Sequence, residues 1–203
     1  MPDCCKYYVP AYLRMAGTFC IKTDQPELFL TFDDGPSPET TPFVLDTLQQ
    51  AQAKASFFCS GGKVEQYPEL LAEIKKQNHQ TGNHGYKHFN GLKTQNKKFF
   101  ADIENANRLI QSSLFRPPYG KLKPSQYFIL RKQYKIIFWT VITRDFDTTT
   151  IWQEDFEKIK PHLRKGTILV FHDSPKANKK MRNLLPAILD YGIKEGFGFS
   201  EIK

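Results

Sequence analysis

The chain has 203 residues, is 40% hydrophobic and 14% aromatic, and carries a formal net charge of +8. Its length and composition suit one domain with a complete core, and they exclude a repeat protein, a low-complexity chain and a bilayer-spanning protein. The charge invites a nucleic-acid interface, but the lysines are spread over amphipathic segments. We therefore predict solvated helix faces, no nucleic-acid partner and no membrane span.

Residues 1–27 are predicted to be an irregular lead-in that packs on the main domain, because turn-forming residues interrupt them: Pro2, Pro10, Gly17 and Pro26. They lack the apolar core of a secretory signal, so we expect a cytoplasmic protein, with an extracytoplasmic location as the alternative. The spacing of the four cysteines matches neither a zinc knuckle nor a CxxC motif. They are Cys4, Cys5, Cys20 and Cys59. We predict free thiols, with Cys59 buried.

Residues 28–203 are predicted to form one α/β domain in which short apolar runs alternate with helical patterns. The apolar runs predict strands over 28–32, 55–59, 80–83, 114–116, 135–141, 166–171 and 197–202. The helical patterns cover 41–53, 67–77, 97–112, 124–132, 151–160 and 181–191, the last with a possible break at Pro186. About seven such units imply a parallel sheet covered by helices, as either an incomplete (β/α) barrel or an open doubly wound sheet.

Reactive side chains follow five of the predicted strands, and in a parallel barrel these strand ends meet at one face. They lie at Asp33-Asp34, His84 to His88, Arg116 to Tyr119, Asp145 and His172-Asp173. Neighbouring strand residues point to opposite faces, so Asp33 and Asp34 can share a site only through a local distortion, for which Gly35-Pro36 is suited. A solvated turn is the alternative.

His84 and His88 are spaced four residues apart, which on a helical turn brings both imidazoles within reach of one ion. Together with one aspartate they would form a three-ligand site of the kind that catalytic zinc centres use. Two unrelated surface histidines are the alternative. Surface positions are also predicted for the other two histidines, His79 and His162.

Acid–base roles are available at the same strand ends. The aspartate that does not bind metal could take a proton from water, with Arg116 as the partner that orients it. His172 emerges from an apolar strand, where a histidine is often a core residue. It could instead act as a general acid, if a carboxylate such as Asp145 keeps it protonated.

Four motifs, in this order, resemble the polysaccharide deacetylases of carbohydrate esterase family 4, the NodB homology domain. They are TFDDGP at 31–36, HGYKH at 84–88, RPPYG at 116–120 and LVFHD at 169–173. The resemblance covers residues 28–203 and implies a distorted, incomplete (β/α) barrel. It also implies hydrolysis of N-acetyl, sometimes O-acetyl, groups on sugar polymers such as peptidoglycan or chitin fragments.

The resemblance also implies roles for individual residues. Asp33 would be the catalytic base, oriented by Arg116, and His172 the general acid. A divalent metal, usually zinc, cobalt or nickel, would be bound by three residues, Asp34, His84 and His88. The backbone N–H of Tyr119 would help to hold the oxyanion.

The fourth motif departs from the family pattern, which is usually Asp-x-x-Asp-Trp. Residues 142–146 read Ile-Thr-Arg-Asp-Phe, so the first Asp is absent and Phe146 replaces Trp. Asp145 still supplies a carboxylate for His172, with Asp147 as the alternative. Val170 stands where the family usually has Leu, and Phe146 and Val170 would line the pocket for the acetyl methyl group.

Two other functions stay open beside a metal-dependent deacetylase. The altered fourth motif would suit a non-catalytic carbohydrate-binding relative that keeps the cleft. A metallohydrolase could also act on a phosphoester or a non-sugar amide, although phosphoester hydrolysis often uses two metal ions.

Overall fold

The computed structural model describes residues 17–203, so Cys4, Cys5 and the rest of 1–16 lie outside the described part. Eight parallel strands occur within it: β1 Glu27–Asp33, β2 Ala55–Cys59, β3 Gln80–Asn83, β4 Leu114–Phe115, β5 Lys135–Ile136, β6 Val141–Ile142, β7 Ile168–His172 and β8 Gly198–Phe199. Hydrogen-bonded neighbours follow the order β5-β4-β3-β2-β1-β7-β6, and β8 pairs with the start of β1. The sheet curls into a distorted, incomplete (β/α) barrel, as predicted.

Seven α-helices cover the sheet in residues 17–203: α1 Thr41–Gln50, α2 Gly61–Gln66, α3 Pro68–Lys76, α4 Asn96–Ile110, α5 Pro124–Leu130, α6 Trp152–Ile159 and α7 Pro175–Lys194. The sequence did not predict α2. It also placed the start of α7 too late and a possible break at Pro186, which lies inside the continuous helix. Buried leucines and isoleucine on both sides of Pro186 hold α7 on the sheet, and this packing offsets the lost backbone hydrogen bond.

β5 and β6 lie at opposite ends of the sheet, although a single apolar run, residues 135–141, supplies both. The prediction of one strand there is wrong, because residues 137–140 cross from one end of the sheet to the other. We call these four residues the seam. The Ile137 N–H donates to the carbonyl of Phe115 in β4, whereas the Thr140 N–H donates to the carbonyl of Ile168 in β7, both at 2.9 Å. The run is apolar because the seam is buried.

The described part of the lead-in packs against the seam. Thr18 exchanges backbone hydrogen bonds with Ile136 (3.1 Å) and Phe138 (2.8 Å). The ring of Phe19 stacks on Phe138 with a centroid distance of 4.8 Å. Residues 17–20 therefore cover the open side of the barrel, while a domain boundary at residue 28 stays a prediction.

The strands alternate between two apolar layers, and this alternation decides which side chains enter the barrel. Leu28, Leu30 and Phe32 of β1 pack on the helix-covered side, whereas Phe29 belongs to the interior cluster. Asp33 has the same parity as Phe29, so it enters the barrel at the carboxyl end of β1.

The surroundings of two cysteines and of His79 are also defined. Cys20 and Cys59 are free thiols, and Cys59 is buried as predicted. The prediction for His79 is wrong: burial lowers its pKa to about 4, and its Nδ1 accepts the Ala55 N–H at 3.3 Å. Within residues 17–203, none of the helices combines the length and apolar character needed to span a membrane.

Candidate active site

The two aspartates at the end of β1 reach one cleft because the backbone of Asp34 is left-handed. Its φ is 74°, a conformation that costs a non-glycine residue about 1–3 kcal/mol and is typical of functional sites. The distortion predicted from the sequence therefore lies at Asp34 itself. The next residue must be glycine, because a Cβ at Gly35 would collide with the carboxylate of Asp173.

Arg116 follows β4 and is fully buried beneath Asp33. Its Nη1 donates to Asp33 Oδ1 at 2.6 Å and to Thr31 Oγ1 at 2.7 Å. Nη2 donates to the carbonyl of Phe138 in the seam at 2.9 Å, and the guanidinium lies 4.1 Å from the ring centroid of Phe58. Because one oxygen of Asp33 is held in this way, the carboxylate has a single orientation.

His84 and His88 lie on an irregular loop after β3 and not on the helical turn for which their spacing was considered. His88 has a φ of 55° and Gly85 a φ of 77°, which neither an α-helix nor a strand allows. The two rings nevertheless lie 4.9 Å apart. Turns in this loop therefore bring the two imidazoles together, as a helical turn would.

A buried carboxylate on α4 holds this loop. Asp102 accepts the backbone N–H of Tyr86 at 2.8 Å and that of Lys87 at 2.9 Å. The side chain of Asn83 accepts the Gly85 N–H at 2.8 Å and donates to the carbonyl of Ile103 at 2.9 Å. Sequence reasoning missed Asp102, although a carboxylate on the buried face of an amphipathic helix was a readable signal.

The side chains of Asp34, His84 and His88 form the only cluster of three or more potential metal ligands in residues 17–203. Asp34 Oδ1 lies 3.6 Å from His84 Nε2 and 3.2 Å from His88 Nε2. Ligands of a tetrahedral zinc ion are about 3.4 Å apart, given zinc–ligand bonds of about 2.1 Å. The three residues therefore fit one divalent ion.

The protonation of two of these residues also suits metal binding. Burial lowers the pKa of His84 to about 4, which keeps the imidazole neutral. Its Nδ1 lies 2.8 Å from the Arg116 carbonyl, and this contact leaves Nε2 for an ion. Burial alone would raise the pKa of Asp34, but the hydrogen bond to His88 and the neighbouring histidine charges lower it below its usual range.

Asp102→Ala should weaken zinc binding about 10- to 100-fold, the usual effect of removing a group that supports metal ligands. The Tyr86 and Lys87 amides would lose their acceptor, so the loop carrying His84 and His88 would loosen. Isothermal titration with zinc measures the effect, with Glu104→Ala on the exposed face of α4 as the control. Wild-type affinity in a folded Asp102→Ala protein would contradict a supporting role.

His172 ends β7 and pairs with Asp145 on the opposite side of the cleft. Its Nδ1 lies 2.8 Å from Asp145 Oδ1, and its backbone N–H donates to Oδ2 at 2.7 Å. Burial alone would lower the pKa of His172, but the charge and hydrogen bond of Asp145 outweigh it and raise the pKa to about 9. The alternative partner, Asp147, pairs with Arg144.

Asp33, the three potential metal ligands and His172 line one cleft of about 410 Å³, together with Tyr119 and several apolar side chains. Tyr119 has a φ of 60°, and its ring contacts His88 edge-on at 4.5 Å. The apolar wall consists of Trp139, Ile142, Phe146 and Val170. Phe146 and Val170 thus line the cleft, and the seam adds Trp139, which the sequence had suggested only as part of a strand.

Asp173 is a second buried carboxylate, and the sequence had predicted no role for it. It accepts hydrogen bonds from the hydroxyls of Thr40 and Thr41, and its N–H donates to the Asp33 carbonyl at 2.7 Å. Burial raises its pKa to about 6. These contacts tie the loop after Asp34 to the end of β7, so the two sides of the cleft are held together.

Fold and site together define a class of protein. A three-ligand group at the carboxyl ends of barrel strands, with a carboxylate on one side and an imidazole on the other, is the arrangement of single-metal hydrolases. A family model described as polysaccharide deacetylase matches residues 21–133. The chain belongs to the polysaccharide deacetylase family.

Relatives and solved structures agree with this membership. A peptidoglycan-N-acetylglucosamine deacetylase from Bacillus cereus is 28% identical over 200 residues, which cover 90% of this chain and 89% of the relative. The crystal structure of the Bc1960 peptidoglycan N-acetylglucosamine deacetylase, in complex with 4-naphthalen-1-yl-N-oxidanyl-benzamide, has a TM-score of 0.88 at 26% identity. That comparison covers 96% of this chain and 95% of the Bc1960 chain.

Other matches differ in length and in activity. Relatives named peptidoglycan-N-acetylmuramic acid deacetylase, from Bacillus subtilis, and chitooligosaccharide deacetylase, from Azorhizobium caulinodans, also match; this chain spans 33% of the first and 76% of the second. A carbohydrate esterase family 4 pseudoenzyme from Bacillus anthracis, BA3943, shares the fold with a TM-score of 0.82 at 22% identity over 92% of this chain and 67% of that chain. The fold is therefore shared by proteins with and without activity.

Proposed function

We propose that the protein is a metal-dependent hydrolase that removes N-acetyl groups from an acetylated glycan. One observation carries the proposal: Asp33, the Asp34–His84–His88 cluster and His172, which Asp145 holds from behind, line the same cleft. A non-catalytic binding module would have no need of a base and an acid that are each held by a buried partner.

Asp34, His84 and His88 would hold one divalent ion, for which zinc fits the donor set and cobalt or nickel would also serve. When bound, such an ion supplies Lewis acidity, which polarises the acetyl carbonyl and makes an attacking water more acidic.

Asp33 takes the proton from the attacking water. Its Oδ1 is occupied by Arg116, and Oδ2 lies 3.9 Å from His84 Nε2, so the free oxygen faces the cluster. Arg116 fixes this orientation and compensates the carboxylate charge in the buried site. The backbone N–H of Tyr119, which also lines the cleft, stabilises the oxyanion of the tetrahedral intermediate.

His172 donates a proton to the leaving amine, which is otherwise too basic to depart. Asp145 keeps the imidazole protonated at neutral pH and orients it through Nδ1, so that Nε2 is left for the substrate. The apolar wall of Phe146, Val170 and Trp139 accommodates the acetyl methyl group. Phe146 meets His172 edge-on at 4.8 Å, so the residue that departs from the family motif still contacts the acid.

The substrate we propose is an acetylated amino-sugar polymer of the peptidoglycan or chitooligosaccharide type. The relatives with these named activities support it. The site is less suited to phosphoester hydrolysis, which often uses two metal ions, because the described residues offer a single three-ligand cluster.

Acetate release from N-acetylglucosamine oligomers and from peptidoglycan fragments tests the proposal. We expect a chelator to abolish release, and zinc, cobalt or nickel, added in turn, to restore it. His84→Ala should lose the restored activity, whereas His162→Ala, which lies outside the cleft, should keep it. Acetate release that does not depend on a metal ion would contradict the proposal. So would sugar binding without acetate release in the presence of each metal ion.

A further inference from the structure

A second pocket of about 330 Å³ continues from the catalytic cleft on the side of His172. The two share Lys176, and Asp145 of the second pocket pairs with His172 of the cleft, so together they form one groove. The second pocket is also lined by Ile151, Trp152 and Lys179. The side chain of Ile151 is 59% exposed, so this part of the groove offers an apolar surface beside a cationic one.

The acidic residues around the second pocket are each paired with a basic side chain. Asp145 pairs with His172, and Asp147 pairs with Arg144. The buried Asp155 accepts a 2.7 Å hydrogen bond from Lys180. The carboxylates near the second pocket therefore leave little negative charge to repel an anion.

Three lysines of the groove have no such compensation. In residues 17–203 no carboxylate forms an ion pair with Lys176, Lys179 or Lys121, the last of which lines the catalytic cleft together with Tyr119. Lys176 lies 5.6 Å from the ring centroid of Phe146, at the junction of cleft and pocket. The groove thus carries a positive charge on both sides of the proposed reaction centre.

We infer that the groove binds acetylated glycans whose neighbouring sugars carry carboxylate groups, in preference to neutral glycans of the same length. This inference rests on the proposed function and specifies its substrate class. Lys176 and Lys179 attract the carboxylate, while Ile151 and Trp152 contact the apolar part of the same substituent or the face of a sugar ring. Lysine is suited to this task because it binds as a flexible point charge and does not require a fixed geometry.

The expected size of the preference follows from the exposure of these lysines. An exposed charge pair changes an affinity by a factor of up to about five. Two lysines should therefore favour an anionic substrate about 10- to 20-fold in kcat/KM at low salt, and the preference should shrink towards 1 M salt because exposed charges are screened.

Matched oligosaccharides test the inference. The first arm compares a neutral N-acetylglucosamine oligomer with an equally long oligomer in which every second sugar carries a lactyl ether carboxylate. The second arm replaces those sugars by uronic acids, which separates the two sources of carboxylate. Acetate release gives kcat/KM for each substrate, and the ratio of anionic to neutral substrate is the readout.

Lys176→Gln together with Lys179→Gln should reduce this ratio to about two or less, whereas the two arginine replacements should retain it. Lys194→Gln, near the far end of α7, is the control and should leave the ratio unchanged. Equal kcat/KM for neutral and anionic oligomers in the wild type, or a ratio unaffected by the glutamine replacements, would overturn the inference. If no oligomer releases acetate, the proposed function fails instead.

Discussion

Asp33→Asn should lower kcat for acetate release on the order of 10²- to 10⁴-fold, because an amide has the shape of the carboxylate but cannot accept a proton from water. The substitution leaves Arg116 hydrogen-bonded to Thr31 and the Phe138 carbonyl, so the site keeps its outline. The metal cluster is formed by other residues, and zinc binding measured by titration should persist.

The same substitution leaves the buried guanidinium without its counter-charge, which should destabilise the fold by about 3–5 kcal/mol. Activity is therefore compared at low temperature, after circular dichroism has shown that the variant is folded. Asp46→Asn, on the exposed side of α1, is the control and should retain wild-type kcat and stability. A folded Asp33→Asn protein with wild-type kcat would show that Asp33 is not the base.

Asp145→Asn should move the alkaline limb of the kcat–pH profile to lower pH by about two units or more. Asp145 is what raises the pKa of His172 to about 9 against the effect of burial, and without it burial lowers that pKa. A general acid works only while protonated, so the variant should lose activity above neutral pH. Initial rates on a neutral oligomer from pH 5 to 10 measure the shift.

Asp147→Asn provides the matched control, since it removes a carboxylate of the same loop that pairs with Arg144. Its alkaline limb should stay where the wild type has it. If the alkaline limb of the Asp145→Asn profile stayed at the wild-type pH, Asp145 would not be the residue that keeps His172 protonated.

The pKa of His172 also predicts how stability depends on pH. The protonated imidazole stabilises the folded state below pH 6.5, and this contribution disappears as pH rises through about 9.

Much of the architecture follows from local patterns. The predicted bounds of β2 and β3 coincide with those observed, and α4 begins and ends within two residues of its prediction. Such segments are read correctly because their apolar periodicity and their tertiary environment agree. The seam shows where this agreement ends: residues 135–141 have the composition of one strand, but two edges of the sheet compete for their backbone groups.

One part of the candidate site could likewise be predicted from the sequence, and another part could not. The residue types and their places at the carboxyl ends of β1, β4 and β7 could be predicted, because parallel strands bring their carboxyl ends together. The conformation of the loop from His84 to His88 could not, since its amides are held by Asp102, which comes later in the chain. The choice of Asp145 over Asp147 depended equally on which carboxylate faces β7.

The sequence by itself determined the alternation of strands and helices, the family resemblance and the set of reactive groups, because each depends on neighbours within a few residues. Only the tertiary structure decided that Asp34 is left-handed, that Asp173 holds Thr40 and Thr41, and that a lysine-lined pocket continues the cleft. These features are contacts between distant segments, whose geometry is set by the packing of the whole barrel and by no local propensity.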